Sequence, residues 1–263
     1  MRTLAKLLKE AGTDHPHNDV TGARRVWEMH RMDLGFKSVT PLLTAPDGNV
    51  KLAKSVVPTY GLSLSPARTS LEVNVCPYST RECRDTCLAT AGHGRWQSAQ
   101  DGRAARTTFF QRYPHSAHAL LVGEIEAAVR RFGHIRMRLN VLSDLDWENI
   151  WPDLFGIPGV QFYDYTKNWS RESTDAYHLT YSASERTKVE DLRLTVSQGR
   201  NVAVVVPTET MARQSTWHGL PAVCGDDSDD RTLDPRGCVV LLKAKGAARY
   251  APYGPTHFVK TEG

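Results

Sequence analysis

The stretch KVEDLRLTVSQGRNVAVVV, residues 188–206, decides the fold class. Lys188 to Gln198 reads as a helix closed by Gly199, a residue that commonly ends helices. Asn201 to Val206, NVAVVV, is apolar without alternation, the mark of a strand buried on both faces of a parallel sheet. The same pairing recurs on either side. IRMRLNVLS, VQFYDYT, AYHLTYSAS and CVVLLKAK read as further strands, and LEVNV, from Leu71, as a short one. Ala104 to Phe132 is helical material broken near Tyr113-Pro114, because the residue before proline resists the α region. A short helix is expected around Ile150 to Phe155, ending at the Gly156–Pro158 break. Six candidate strands, mostly separated by helix or long crossover, predict an α/β fold: a partial (β/α) barrel or an open, mostly parallel sheet.

Residues 1–55 read as a peripheral helical and irregular region, with helices over Arg2 to Ala11 and Val20 to Met32 and a TAPDGNV connector. Residues 56–263 are expected to form the α/β domain. A 263-residue chain with 40% hydrophobic and 24% charged residues can bury a sizeable core without disulfide staples. A net charge of +4 is compatible with a nucleic acid or phosphorylated partner without requiring one. No run approaches the roughly 18 apolar residues of a membrane span. MRTLAKLLKEAG reads as an amphipathic helix rather than an export signal, so the expected location is the reducing cytoplasm, with no membrane partner.

Polar residues gather where strands end: three cysteines after LEVNV, Asp144 after NVL, Asp164 and Lys167 after VQFY, and Ser182 to Glu185 after HLTY. Ligands of parallel α/β proteins bind at those carboxyl ends. Cys76, Cys83 and Cys87 are three of the five cysteines, in a C-x6-C-x3-C spacing without the C-x2-C pair of zinc ribbons. Thiolates suit zinc, with His93 as a fourth ligand, and they suit an iron–sulfur cluster. Cys224 or Cys238 is another possible fourth donor.

The segments NVCPYSTRECRDTCLA, FYDYTKN, HLTYSASER and CGDDSDDRTLDPRGCVVLLKAKG resemble the phage gene product 88 family, over about residues 70–246. The placement of the cysteines is similar, more loosely, to radical S-adenosylmethionine proteins, which hold a three-cysteine 4Fe-4S cluster after the first strand of a partial barrel. That superfamily's usual loop is C-x3-C-x2-C, shorter in both gaps, and its Gly-Gly-Glu segment has no match here; AGHGRW and LNVLSDLDW stand in the corresponding places. The likeness implies Cys76, Cys83 and Cys87 as cluster ligands and S-adenosylmethionine as cofactor. Asp144, Ser182 and Glu185 would contact the cofactor, and Asp144, Asp164, Lys167 and Glu185 would be the catalytic set. The phage resemblance points to a nucleotide or nucleic acid as substrate, in the host cytoplasm.

Two further features stand apart. CGDDSDDRTLDPRGC sets Asp226, Asp227 and Asp229 where they could contact a ligand or, with magnesium, serve phosphoryl transfer, although the spacing is not that of a calcium loop. Arg231 and Arg236 are placed to offset their repulsion. Arg95, Arg103, Arg106 and Arg112, interleaved with Trp96, Phe109 and Phe110, suit phosphate contact with base stacking; an exposed helical face over core aromatics gives the same pattern. Three function classes remain: an iron–sulfur enzyme acting on a nucleotide or base, a zinc-stabilised nucleic-acid-binding module, and a metal-dependent hydrolase built on the aspartate turn.

Overall fold

The computed structural model describes residues 2–12, 19–46, 57–67 and 72–262. In chain order the strands are β1 (Arg2–Thr3), β2 (Leu43–Thr44), β3 (Thr59–Leu62), β4 (Val73–Asn74), β5 (Ile135–Arg138), β6 (Val160–Thr166), β7 (Tyr177–Ser182), β8 (Asn201–Val206), β9 (Thr216–Trp217), β10 (Leu220–Cys224) and β11 (Val239–Lys243). The helices are α1 (Leu4–Ala11), α2 (Val20–Asp33), α3 (Arg81–Asp85), α4 (Gln97–Arg112), α5 (Pro114–Phe132), α6 (Trp147–Ile150), α7 (Val189–Ser197) and α8 (Glu209–Ala212). The sheet order is β2-β3-β5-β6-β7-β8-β11-β10-β9, with β1 and β4 in a separate parallel pair. The α/β expectation holds, as an open and mostly parallel sheet whose order ends at β2 and β9.

The chain divides into two compact units, Met1–Pro77 with Trp96–Phe162, and Tyr78–Arg95 with Tyr163–Gly263. The expected division between residues 55 and 56 lies outside the described residues.

In unit 1, β3, β5 and the start of β6 pair in parallel, and β2 edges β3 antiparallel. The helix break reads as expected. Pro114 opens α5, where its missing N–H costs nothing, and Gly133 closes it at φ +77°. Trp27 of α2 is buried against Phe109 of α4, with ring centroids 4.9 Å apart, and its indole N–H donates to Thr40 O at 2.7 Å. At Gly123, a Cβ would stand 2.5 Å from Val20, so this glycine lets α5 approach α2 closely.

In unit 2, β7, β8, β11 and β10 are parallel neighbours, and β9 closes the edge antiparallel to β10. Val202, Val204 and Val206 face α7 through Leu192 and Val196, while Ala203 packs with Cys238 and Val240 on the opposite face. Burial on both faces is why NVAVVV shows no alternation. His218 and Gly219 both take positive φ, 50° and 77°, in the two-residue turn joining β9 to β10. Hairpin turns of the primed type need that backbone.

Two strand readings are corrected. Of the described part of LEVNV, Val73 and Asn74 are strand and pair with Arg2 and Thr3 outside the large sheet. The Asn74 side chain then accepts from Cys76 N at 2.8 Å and turns the chain. The parallel strand nearest that end is instead TYGL, β3. Gly61 disguises it in the sequence, yet a Cβ there would meet Val141 at 2.8 Å. The stretch before CVVLLK also contains a strand, β10, hidden by its shortness and by Pro221.

Candidate functional site

The segment 78–95 carries Cys83 and Cys87 and belongs to unit 2. Thr80 caps α3, its hydroxyl oxygen accepting from Cys83 N at 3.3 Å. The same hydroxyl donates to Glu185 Oε2 at 2.6 Å, and Glu82 N donates to Glu185 Oε1 at 3.4 Å. Glu185 follows β7, so α3 and its cysteine are moored to the carboxyl end of that strand. Burial works against the Glu185 charge, but the hydrogen bonds from Thr80 and the backbone outweigh it and hold the carboxyl below its usual range.

A second carboxylate continues the network. Glu82 accepts from Phe258 N at 2.7 Å and faces His257 Nδ1 at 3.1 Å. The ring of Phe258 lies 5.0 Å beneath the Lys167 ammonium, which donates to Ser182 Oγ at 2.6 Å and Ala183 O at 3.3 Å. Lys260 donates to Thr187 O and Pro255 O. Burial lowers its pKa, and Glu185 and Glu82 partly restore it. Of the residues expected at strand ends, Lys167 and Ser182 are joined directly, and Glu185 is linked to them only through Glu82 and Phe258. The C-terminal residues His257, Phe258 and Lys260 complete the network and gave no signal in the sequence, being an isolated histidine, aromatic and lysine beyond the last strand.

Asp164 is bound within the fold. It is wholly buried and accepts from Tyr177 OH at 2.8 Å, and Arg171 donates to the same phenol at 3.2 Å. That arrangement ties β6 to β7 through a buried phenol.

In unit 1, Cys76 lies in the turn beside the segment that follows β5, its thiol donating to Leu142 O at 3.4 Å. Asp144 is buried and its backbone N–H donates to Val75 O at 2.9 Å. Asn140, which the sequence reading passed over, organises this turn: its Oδ1 accepts from Ser143 Oγ, Leu145 N and Trp147 Nε1 at 2.8, 3.0 and 3.1 Å.

None of the five cysteines is in a disulfide. Cys76, Cys83, Cys87 and Cys224 are half-buried, whereas Cys238 is buried and its thiol is pushed up to about 11 by burial and by Asp234. Among the described residues, no group of three His, Cys, Asp or Glu side chains is gathered for a metal ion.

The aspartate turn is largely satisfied from within the protein. Asp226 accepts from Lys243 N at 2.8 Å and pairs with Lys245; exposed Asp227 pairs with Arg213 at 3.2 Å. Asp230 caps the following turn through Thr232 N, and Arg231 is buried beside Asp234 at 3.3 Å. Asp229 is half-buried in the same turn. The expected compensation by Arg231 is present, directed at Asp234.

The arginines separate by burial. Arg95 and Arg112 are exposed, whereas Arg103 is buried. Arg106 donates to Leu42 O at 2.7 Å and Gly102 O at 3.2 Å, and burial, helped by Arg31, pushes its pKa down to about 10.

Fold and site together define an open-sheet α/β protein whose thiol-bearing segment is moored at the carboxyl ends of its parallel strands. The chain belongs to the phage gene product 88 family, whose model, described as Gene product 88, matches residues 38–255. No match to it was found among curated proteins or among solved structures. No helix among the described residues is long and apolar enough to cross a membrane.

Proposed function

We propose that this protein is an enzyme of nucleotide or nucleic-acid modification whose thiols Cys76, Cys83 and Cys87 serve an iron–sulfur cluster, with S-adenosylmethionine as cofactor. The observation that carries the reading is the placement of the thiols: these three are all half-buried within twelve residues, Cys76 in the turn after β4, Cys83 on α3 and Cys87 just beyond it. Cys238 is sealed in the core with a raised pKa, and Cys224, also half-buried, lies far along the chain at the end of β10. Thiolate character and access are what metal and cluster ligation require. Such a cluster, when bound, supplies one electron for cleavage of a sulfonium. Of the three, Cys83 and Cys87 belong to unit 2 and Cys76 to unit 1, and among the described residues no three donors are gathered, so the assignment rests on thiol chemistry and spacing rather than on a preformed cage. What the chain's own residues do in the network around Glu185 and Lys167 is hold charge. Lys167 offers a cation fixed by a hydroxyl, a carbonyl and a ring face, and Glu185 keeps its carboxylate while fastening α3.

Anaerobic reconstitution with iron and sulfide, followed by metal analysis and a search for 5′-deoxyadenosine, tests the proposal. It expects iron and sulfide bound by the native chain, a broad absorption bleached by dithionite, loss of both in Cys83→Ala, and retention in Cys238→Ala. A colourless chain holding one zinc ion replaces this reading with the zinc-stabilised binding module. Divalent-dependent phosphodiester cleavage that survives Cys83→Ala and fails in Asp229→Ala replaces it with the hydrolase.

A further inference from the structure

A cleft of about 400 Å³ opens in unit 2 just past the end of β11. One wall is the turn from Thr90 through Arg95, which continues the cysteine segment; the other is the turn Gly246–Tyr250. The walls touch because Gly246 has no side chain: a Cβ there would stand 2.5 Å from Thr90 Oγ1 and 2.9 Å from Ala91 N, and its φ of +56° suits glycine. Thr90 fastens the contact, its hydroxyl oxygen accepting from Ala247 N at 2.9 Å while it donates to Cys87 O at 2.7 Å.

The lining is chemically one-sided. Arg95 and Arg249 both face the cleft, and no aspartate or glutamate is among its described lining residues. Guanidinium forks match phosphate oxygens in geometry as well as charge. Tyr250 completes the lining with 85% of its surface exposed, and the Arg249 guanidinium stands 5.9 Å from its ring. An accessible ring next to a cation is the platform on which nucleobases stack. The volume is that of a small-ligand site.

We infer that this cleft binds the phosphate of a nucleotide between Arg95 and Arg249, with the base stacked on Tyr250. The nucleotide is either free or a unit of a single strand, which share that chemistry. The inference deepens the proposed function by giving its substrate class a place, and it rests on that reading only for the class; no cysteine lines the cleft.

Titration of the full-length chain by calorimetry with adenosine monophosphate, inorganic phosphate and a ten-residue thymidine oligonucleotide tests it. Running the same titrations on Cys83→Ala keeps the result separate from cluster loading. The expected result is saturable binding of the mononucleotide, the oligonucleotide or both, whichever source is the natural one. Arg95→Ala and Arg249→Ala should each weaken binding tenfold or more. Arg249→Lys should recover only part, since it keeps the charge and loses the fork. Tyr250→Ala should weaken the nucleotide ligands and leave inorganic phosphate unchanged. For the oligonucleotide, each arginine removed should lower the salt slope by about one. Arg213→Ala, whose side chain pairs with Glu209 and Asp227, should bind as the native chain does. Absence of saturable binding by both nucleotide ligands, or equal affinity in the native, Arg95→Ala and Arg249→Ala chains, overturns the inference.

Discussion

Thr80 and Glu185 are 105 positions apart in the chain and 2.6 Å apart through a hydroxyl–carboxylate hydrogen bond. That bond fastens the helix carrying Cys83 to the loop that follows β7, and Thr80 also caps the helix. Thr80→Ala removes both functions. It should cost about 1 kcal/mol in denaturant unfolding, the usual size of a lost N-cap, and should raise the alkylation rate of Cys83 measured by mass spectrometry. An unchanged rate would mean that α3 is held by other contacts.

The Glu185 carboxyl has a folded pKa below its ordinary value of 4.5. A depressed acid contributes stability that is complete above the unfolded pKa and lost as pH falls through the folded one. The melting-temperature gap between native protein and Glu185→Gln should therefore be largest at neutral pH and shrink below about pH 4.5. A gap of the same size at pH 7 and pH 3 would show that the carboxylate's charge contributes nothing.

Burial separates the thiols in reactivity. With its pKa near 11 against an ordinary 9.0, the Cys238 thiolate fraction at pH 8 is about a hundred times smaller than that of an unperturbed thiol. Iodoacetamide at pH 8 should modify Cys83 and Cys87 well before Cys238. Early labelling of Cys238 in protein that still melts cooperatively would contradict its placement in the core.

Arg106 and Arg112 make opposite predictions although both look alike as basic residues on one helix. Arg106→Ala leaves Leu42 O without its charged donor and should lower unfolding stability by about 1–3 kcal/mol. Exposed Arg112→Ala should be within about 0.5 kcal/mol of native. Equal costs in chemical denaturation would show that the Leu42 contact is energetically idle.

Asn140→Ala should be the more damaging change in unit 1. It strips the acceptor from Ser143, Leu145 and Trp147 together, a cost on the order of 3 kcal/mol. A variant with native unfolding midpoint would mean that water replaces the amide.

The sequence by itself determined what depends on neighbours along the chain. NVAVVV announced a strand buried on both faces, and the Tyr113-Pro114 break fixed where α5 begins. Periodicity and backbone restriction are local, so they are readable in one dimension. Only the tertiary structure decided which polar groups face one another. It sealed Asp164 against Tyr177, turned Arg106 inward to Leu42, brought Phe258 under Lys167, and moored Cys83 through Thr80. TYGL became a strand because Gly61 fits against Val141, and Val73 and Asn74 were diverted to Arg2 and Thr3. Those outcomes turn on long-range packing and on where each buried polar atom finds its partner, and residue spacing carries no record of either.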